Sequence, residues 1–158
     1  MKLNIKQNLK TTELDKLIKL AKEKYKVKVG VIGSGASQQV EGVTVAQYGY
    51  YNEVGSVLRN IPQRSFIISP ITLKLRESIF KHKDTYSKML LIEKDMKKAY
   101  DLLGVEAKGI ILKAFSNRNG GAWKSNAPST IKRKGSSQPL IDTGRLRKSI
   151  NYKVINND

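Results

Sequence analysis

Lys26-Val27-Lys28-Val29-Gly30-Val31-Ile32 and Ser149-Ile150-Asn151-Tyr152-Lys153-Val154-Ile155 are the stretches whose reading decides the fold. The first alternates lysine with valine and then turns apolar. The second alternates Ile150, Tyr152 and Val154 with polar residues. Period-two alternation of β-branched and aromatic residues predicts half-buried strands. Nearly everything between them reads as helix or loop.

Working outward, Thr12 and Asp15 have capping-box spacing, and Leu14, Leu17, Ile18, Ala21 and Tyr25 recur on one face, which predicts a helix before the first strand. Lys16, Lys19, Lys22 and Lys24 fall mostly outside that stripe and read as its wet side. After the strand, Gly33-Ser34-Gly35-Ala36-Ser37 predicts a loop, and 43–45 a short extended entry. Val45, Tyr48 and Tyr51/Asn52 then predict a short helix stopped at Gly55. Ile61-Pro62 forces extended backbone, and Phe66-Ile67-Ile68 reads as a strand or extended anchor.

Ser69-Pro70 reads as a helix opening, a capping hydroxyl followed by proline at the first helical position. Ile71, Leu75, Ile79, Tyr86, Leu90 and Met96 continue a drifting apolar face through a helix of roughly 30 residues. Glu77/Lys81, Asp84/Lys88 and Glu93/Lys97 are spaced for i,i+4 pairs. Gly104 is expected to interrupt it before a second helix carrying Val105, Gly109, Ile111, Leu112 and Phe115. Residues 116–139 turn to Gly, Ser, Asn, Pro and Lys around Trp123, a length that predicts a mobile loop or an arm ordered on assembly. The whole chain, 1–158, is expected to form one domain.

Charge is the strongest compositional signal: 30 Lys+Arg against 13 Asp+Glu, a net +17. Such a field attracts polyanions and acidic surfaces without reading sequence. Lysine dominates, and its ammonium meets phosphate as a point charge. Cysteine is absent, which excludes disulfides, thiolate nucleophiles and zinc–thiolate sites. No apolar run suggests a membrane span, and the first ten residues lack a signal-peptide core, so a soluble chain made in a cytoplasm is expected.

Catalytic signals are thin. Gly30-Val31-Ile32-Gly33-Ser34-Gly35 resembles the opening of a dinucleotide fingerprint, but Gln38 stands where its third glycine belongs. His82 is the only histidine, and the acids are scattered, with Glu41 and Glu53 the one carboxylate pair to inspect. No catalytic residue, metal ligand or cofactor is therefore expected. Across the C-terminal stretch, Arg118, Lys124, Lys132, Arg133, Lys134, Arg145, Arg147, Lys148 and Lys153 face Asp142 alone. That asymmetry fits sequence-blind contact with DNA or an acidic partner, with Trp123 or Tyr152 either stacking on a base or anchoring the arm on a neighbouring subunit.

Three pieces in order carry a resemblance: Tyr51-Asn52-Glu53-Val54-Gly55-Ser56 with Ile61-Pro62-Gln63-Arg64-Ser65-Phe66, then Trp123 in a loop with Thr130 and Lys132, then Pro139-Leu140-Ile141-Asp142-Thr143-Gly144-Arg145-Leu146-Arg147-Lys148-Ser149-Ile150. Together they resemble the virion-morphogenesis and tail-completion family of tailed bacteriophages and prophages, over roughly residues 26–155. The departures are Val54 and Ser56, where an aromatic and a threonine are common, and Ser65, where proline is common.

The resemblance implies an α+β fold: a small, mostly antiparallel sheet packed by a long helix and shorter helices. It also implies a structural, non-enzymatic role in the virion, at the head–tail neck or tail end. Copies would form a homo-oligomeric ring beside head-connector and tail-tube proteins, assembled in the host cytoplasm, touching phage DNA only non-specifically and no membrane. Carried onto this chain, Tyr51, Asn52, Glu53, Arg64, Phe66 and Trp123 become candidate partner or subunit contacts, the first five around a corner where Arg64 is offered an ion pair. On charge alone Lys124, Lys132, Arg133, Lys134, Arg145, Arg147 and Lys148 are candidate contacts with DNA or an acidic partner, and the resemblance leaves Arg145 and Arg147 free to reach one. The 142–150 segment would return a strand to the sheet. A free-standing, sequence-independent nucleic-acid-binding protein is the alternative, and a small hydrolase using Glu53 or His82 a further rival.

Overall fold

The computed structural model describes Asp15, Ile18, Lys19, Lys22 and residues 24–156. The capping box at Thr12 and most of the stripe assigned to the first helix lie outside them.

The two deciding stretches pair with each other. β1 (Tyr25–Val31) and β4 (Ile150–Asn156) run antiparallel, in a register that sets Val27 opposite Val154, Val29 opposite Tyr152 and Val31 opposite Ile150. These apolar cross-strand pairs share one face, while Lys26 and Lys28 lie on the exposed other side. After a single 3-10 turn at Ser34–Ser37, β2 (Gln39–Val40) and β3 (Val43–Thr44) form a second, minimal antiparallel pair. The fold is α+β, as expected.

Helix α1 (Val45–Val54) starts at a complete capping box: Thr44 Oγ1 accepts from the Gln47 N–H at 3.1 Å, and Gln47 Oε1 accepts from the Thr44 N–H at 2.9 Å. It ends at Gly55, whose φ of 79° and whose approach to the Gln63 backbone leave no room for a side chain.

The single long helix expected after Ser69-Pro70 is in fact several pieces: α2 (Ile68–Lys81), α3 (Lys83–Ser87), a π turn at Lys88–Ile92, and α4 (Met96–Asn117). The break before α4 is made by Lys94, at φ 51°, and by Asp95, whose carboxylate accepts from the Lys98 N–H at 2.8 Å. The ion pairs differ accordingly: Glu93 meets Lys88 and Lys98, Glu77 meets Lys74, and Lys97 meets Asp101.

Gly104, expected to interrupt a helix, lies inside α4. A Cβ there would stand 2.1 Å from the Tyr152 ring, so the glycine is the seat that lets the longest helix lie flat on β4. Ring contact between Tyr25 and Tyr100, 5.8 Å between centroids, seals the other end of that layer. α2 packs on α4 in turn.

Phe66, Phe115, Ile111 and Ile150 are fully buried at the centre of the core, with Trp123, Leu140 and Leu146 closing it. Phe66 and Trp123 both meet Phe115 edge-on, at 5.4 and 5.7 Å. Such pairs add roughly 0.5–1.5 kcal/mol each beyond area burial. The 116–139 segment, expected as a loop or arm, is folded against this core by Trp123, by α5 (Pro128–Lys134), and by Gln138, whose amide donates to Phe115 O at 2.8 Å. The 142–150 segment forms α6 (Arg145–Lys148) before β4 begins, so the strand returns only from Ile150.

Candidate partner-binding groove

The corner between α1 and α2 is built on a carboxylate. Glu53 is buried, and its Oε2 accepts from the Phe66 and Ile67 N–H groups at 2.7 and 2.9 Å. Its Oε1 accepts from the Ile68 N–H at 3.0 Å and from the Ser65 hydroxyl at 2.6 Å. Ser65 Oγ accepts from the Ser69 N–H, Pro70 has no N–H, and the Ile71 N–H reaches Ile67 O. Every donor at the start of α2 is thus satisfied, and negative charge sits where the helix dipole favours it. This is why Phe66-Ile67-Ile68 is a corner entering a helix, not a strand, and why α2 starts two residues before Pro70.

Arg64 leaves the same corner in the opposite direction. Its backbone N–H donates to Asn52 O at 2.7 Å, while Nε and Nη2 donate to Lys124 O and Ser125 O at 2.8 and 2.9 Å. Among the described residues it has no carboxylate partner; within the chain, carbonyls of the 116–139 segment stand where an internal ion pair was expected. Trp123 Nε1 donates to Ser65 O at 3.0 Å, the second tie between corner and segment. Phe66, Trp123 and Glu53, read from sequence as partner contacts, are buried within the chain and lie outside the groove described next.

These ties fix the walls of an open groove of about 1170 Å³. One wall is α1 with Tyr48, Tyr51 and Asn52, continued by a loop that the Ser56–Ile61 bridge closes at its base. The opposite wall is Lys124, α5 with Arg133 and Lys134, and Asp142 to Arg145 at the start of α6. α5 opens on Pro128 and stops at Gly135 in the left-handed region, as a short helix between turns should. Arg59 lies over the Tyr51 ring at 4.4 Å, and Arg133 pairs with Glu41 across the groove at 2.9 Å.

Burial pushes the Tyr48 hydroxyl up and the Arg64 guanidinium down. Burial likewise holds Lys134 below the ordinary lysine range, with Asp142 opposing and the neighbouring charges of Arg64 and Arg133 adding to the depression. The groove floor is a place where positive charge crowds.

Of the residues singled out by sequence, Tyr51, Asn52, Arg64, Lys124, Arg133, Lys134 and Arg145 line this one groove, whereas Lys132, Arg147 and Lys148 do not. Tyr48 and Arg59 are not legible as site residues from sequence, and Glu41, read there only as one of a carboxylate pair with Glu53, lines the groove instead. Tyr48 had been used up as a helix-periodic position, and nothing local marks Arg59.

The catalytic rivals gain no geometry. Both Glu53 oxygens are occupied by backbone and hydroxyl donors, and Glu41 is exposed and paired with Arg133. His82 follows the far end of α2, about 20 Å from Glu53 along a 14-residue helix. It meets Glu106 instead, Nδ1 to Oε1 at 2.7 Å. β1 is followed by no parallel strand, so the glycines after it do not form a dinucleotide turn. Among the described residues no three His, Asp or Glu side chains gather as metal ligands, and no helix is long and apolar enough to cross a membrane.

No protein-family model, curated protein or solved structure matches this chain.

Proposed function

We propose that this chain is a structural protein of a tailed-bacteriophage virion, placed at the head–tail neck or tail terminus, which joins head to tail or completes the tail by assembling into a homo-oligomeric ring. Binding is the whole of its activity, its neighbours are head-connector and tail-tube proteins, and it is made in the host bacterial cytoplasm. The observation that carries the reading is the loop beside the groove. Val57 and Leu58 at its tip are 98% and 102% exposed. Two hydrogen bonds between Ser56 and Ile61, at 2.8 and 2.9 Å, brace the loop below them.

A braced apolar tip is what an interface offers, since each such side chain gains roughly 1.5–3 kcal/mol when a partner covers it. Leu73 and Phe80, exposed one above the other on α2, and Leu91 and Ile92 on the π turn, supply further surface of the same kind. A patch that meets a different patch on the next copy generates a ring when the rotation closes. Lys132, Arg147 and Lys148, exposed and outside the groove, suit sequence-blind contact with DNA that weakens with salt.

Light scattering on the purified chain, at low and high salt and with or without short duplex DNA, tests this. A ring-sized mass indifferent to DNA is expected, and Val57→Asp with Leu58→Asp should reduce it to the 17.7 kDa monomer. A monomer that binds duplex tightly at low salt would replace this reading with the nucleic-acid-binding alternative.

A further inference from the structure

We propose that the groove between α1 and α5 takes an extended acidic peptide segment of a partner protein, with its carboxylates seated against Arg133, Lys134 and Arg145. This rests on the reading of the chain as an assembly protein and names the chemistry of one partner.

Charge comes first. Six cations line the groove against two acids, Glu41 and Asp142, and among the described residues only Arg133 has a carboxylate partner, Glu41 at 2.9 Å. Lys124 and Arg145 have no side-chain hydrogen bond or ion pair with another described residue. Lys134 spends its ammonium on Gln138 O at 2.8 Å, a neutral acceptor. Positive groups confined in this way are electrostatically short of anions, and carboxylates entering between them would form charge-assisted bonds in a partly desolvated site.

Peptide is favoured over nucleic acid by what the aromatic rings are doing. Base stacking needs free ring faces in succession. Trp123 is buried, Tyr152 lies on Gly104 and Arg59 covers one face of Tyr51. Among the described residues this leaves Tyr48 as the one partly exposed ring on the groove wall. A nucleic acid also brings a negative charge at every nucleotide, including those that would pass Glu41 and Asp142. An extended peptide alternates its side chains, so it can present carboxylates to the cations and neutral groups to the acids. At about 1170 Å³ the groove exceeds the ~300–1,000 Å³ of ordinary small-molecule sites and suits a segment of several residues.

The test is fluorescence anisotropy of the full chain with a labelled peptide of alternating glutamate and glycine, against labelled single-stranded and duplex oligonucleotides of similar charge. Arg133→Glu with Arg145→Glu reverses two exposed groove cations, and Arg147→Glu with Lys148→Glu makes the same charge change on α6 outside the groove. Peptide affinity should fall about tenfold or more in the first pair and about threefold or less in the second. Equal losses in both pairs, no peptide binding, or tighter binding of an oligonucleotide would overturn the proposal. Circular dichroism verifies that both pairs fold. Light scattering of the same samples separates the two readings: failure of the groove leaves the ring mass unchanged, whereas failure of assembly shows as a monomer whatever the peptide does.

Discussion

Two glutamates at opposite ends of α2, one buried and one half-buried, are held in different ways. Glu53 is 7% exposed, and its two oxygens accept four hydrogen bonds from Ser65, Phe66, Ile67 and Ile68. Glu106, on α4, is half-buried as a residue, and among the described residues no backbone N–H donates to its carboxylate. Its neighbours are side chains: His82 Nδ1 stands 2.7 Å from Oε1, and the Tyr86 hydroxyl is buried beside the same carboxylate. Backbone amides hold the first carboxylate, and side chains alone surround the second. The first end is a fixed joint, because a carboxylate shared by three consecutive amides leaves the backbone one conformation. The second is a loose joint, followed by the π turn and the left-handed Lys94.

The largest effect should come from destroying the fixed joint. Glu53→Ala strands the amides of Phe66, Ile67 and Ile68, and should cost about 3–5 kcal/mol in urea unfolding, with Glu53→Gln near half of that because the amide keeps one acceptor oxygen. A loss below about 1 kcal/mol for the alanine variant would show that the corner is held by its packing instead. Next is the seat of the helix that carries Glu106. Gly104→Ala drives a methyl into the Tyr152 ring and should cost about 1–3 kcal/mol, with much of the loss recovered when Tyr152→Leu clears the space. Full additivity of the two changes would argue against that contact.

At the loose joint, Glu106→Gln should change stability by no more than about 1 kcal/mol, since a half-buried carboxylate held only by side chains, one of them half-exposed, stabilises little. A cost as large as that of Glu53→Gln would erase the distinction between the two joints. The smallest effect is one of pH. Tyr86 is raised above its ordinary value of 10.0 by burial first and by the Glu106 charge second, so the folded chain keeps this phenol neutral where the unfolded chain ionises it. Its contribution is therefore complete below about pH 10 and lost as pH rises further. Tyr48, also raised by burial, falls off in the same window, so Tyr86→Phe should remove only part of the alkaline loss. Chemical denaturation at pH values on either side of 10 checks it.

Sequence reading located both long strands, α1 with its Gly55 stop, and several of the cations that line the groove. Each is a local signal: period-two alternation, helical spacing, or cations in a turn-rich stretch. It failed where the deciding partner is distant. Ser69-Pro70 looks like a helix start, and the actual start is set by Glu53, far back in the chain. Gly104 looks like a breaker because the ring that requires it is Tyr152. Trp123 and Phe66 looked like free contact residues because nothing nearby in sequence shows that they meet on Phe115. One missed signal was local: Asp95 caps α4 and stands openly in the sequence, concealed by an apolar face that seemed to run through it.

Composition and periodicity alone determined that this chain is strongly cationic, free of cysteine chemistry, and divided between two alternating strands and a helical middle. Those properties depend on residue type and near-neighbour spacing, which a linear string contains in full. Tertiary structure decided that the two distant strands pair with each other, that the 116–139 segment is folded onto the core, and that cations from separate stretches share one groove. These depend on which far residue supplies a hydrogen bond, a ring or a charge, and proximity in space is set by packing, not by order along the chain.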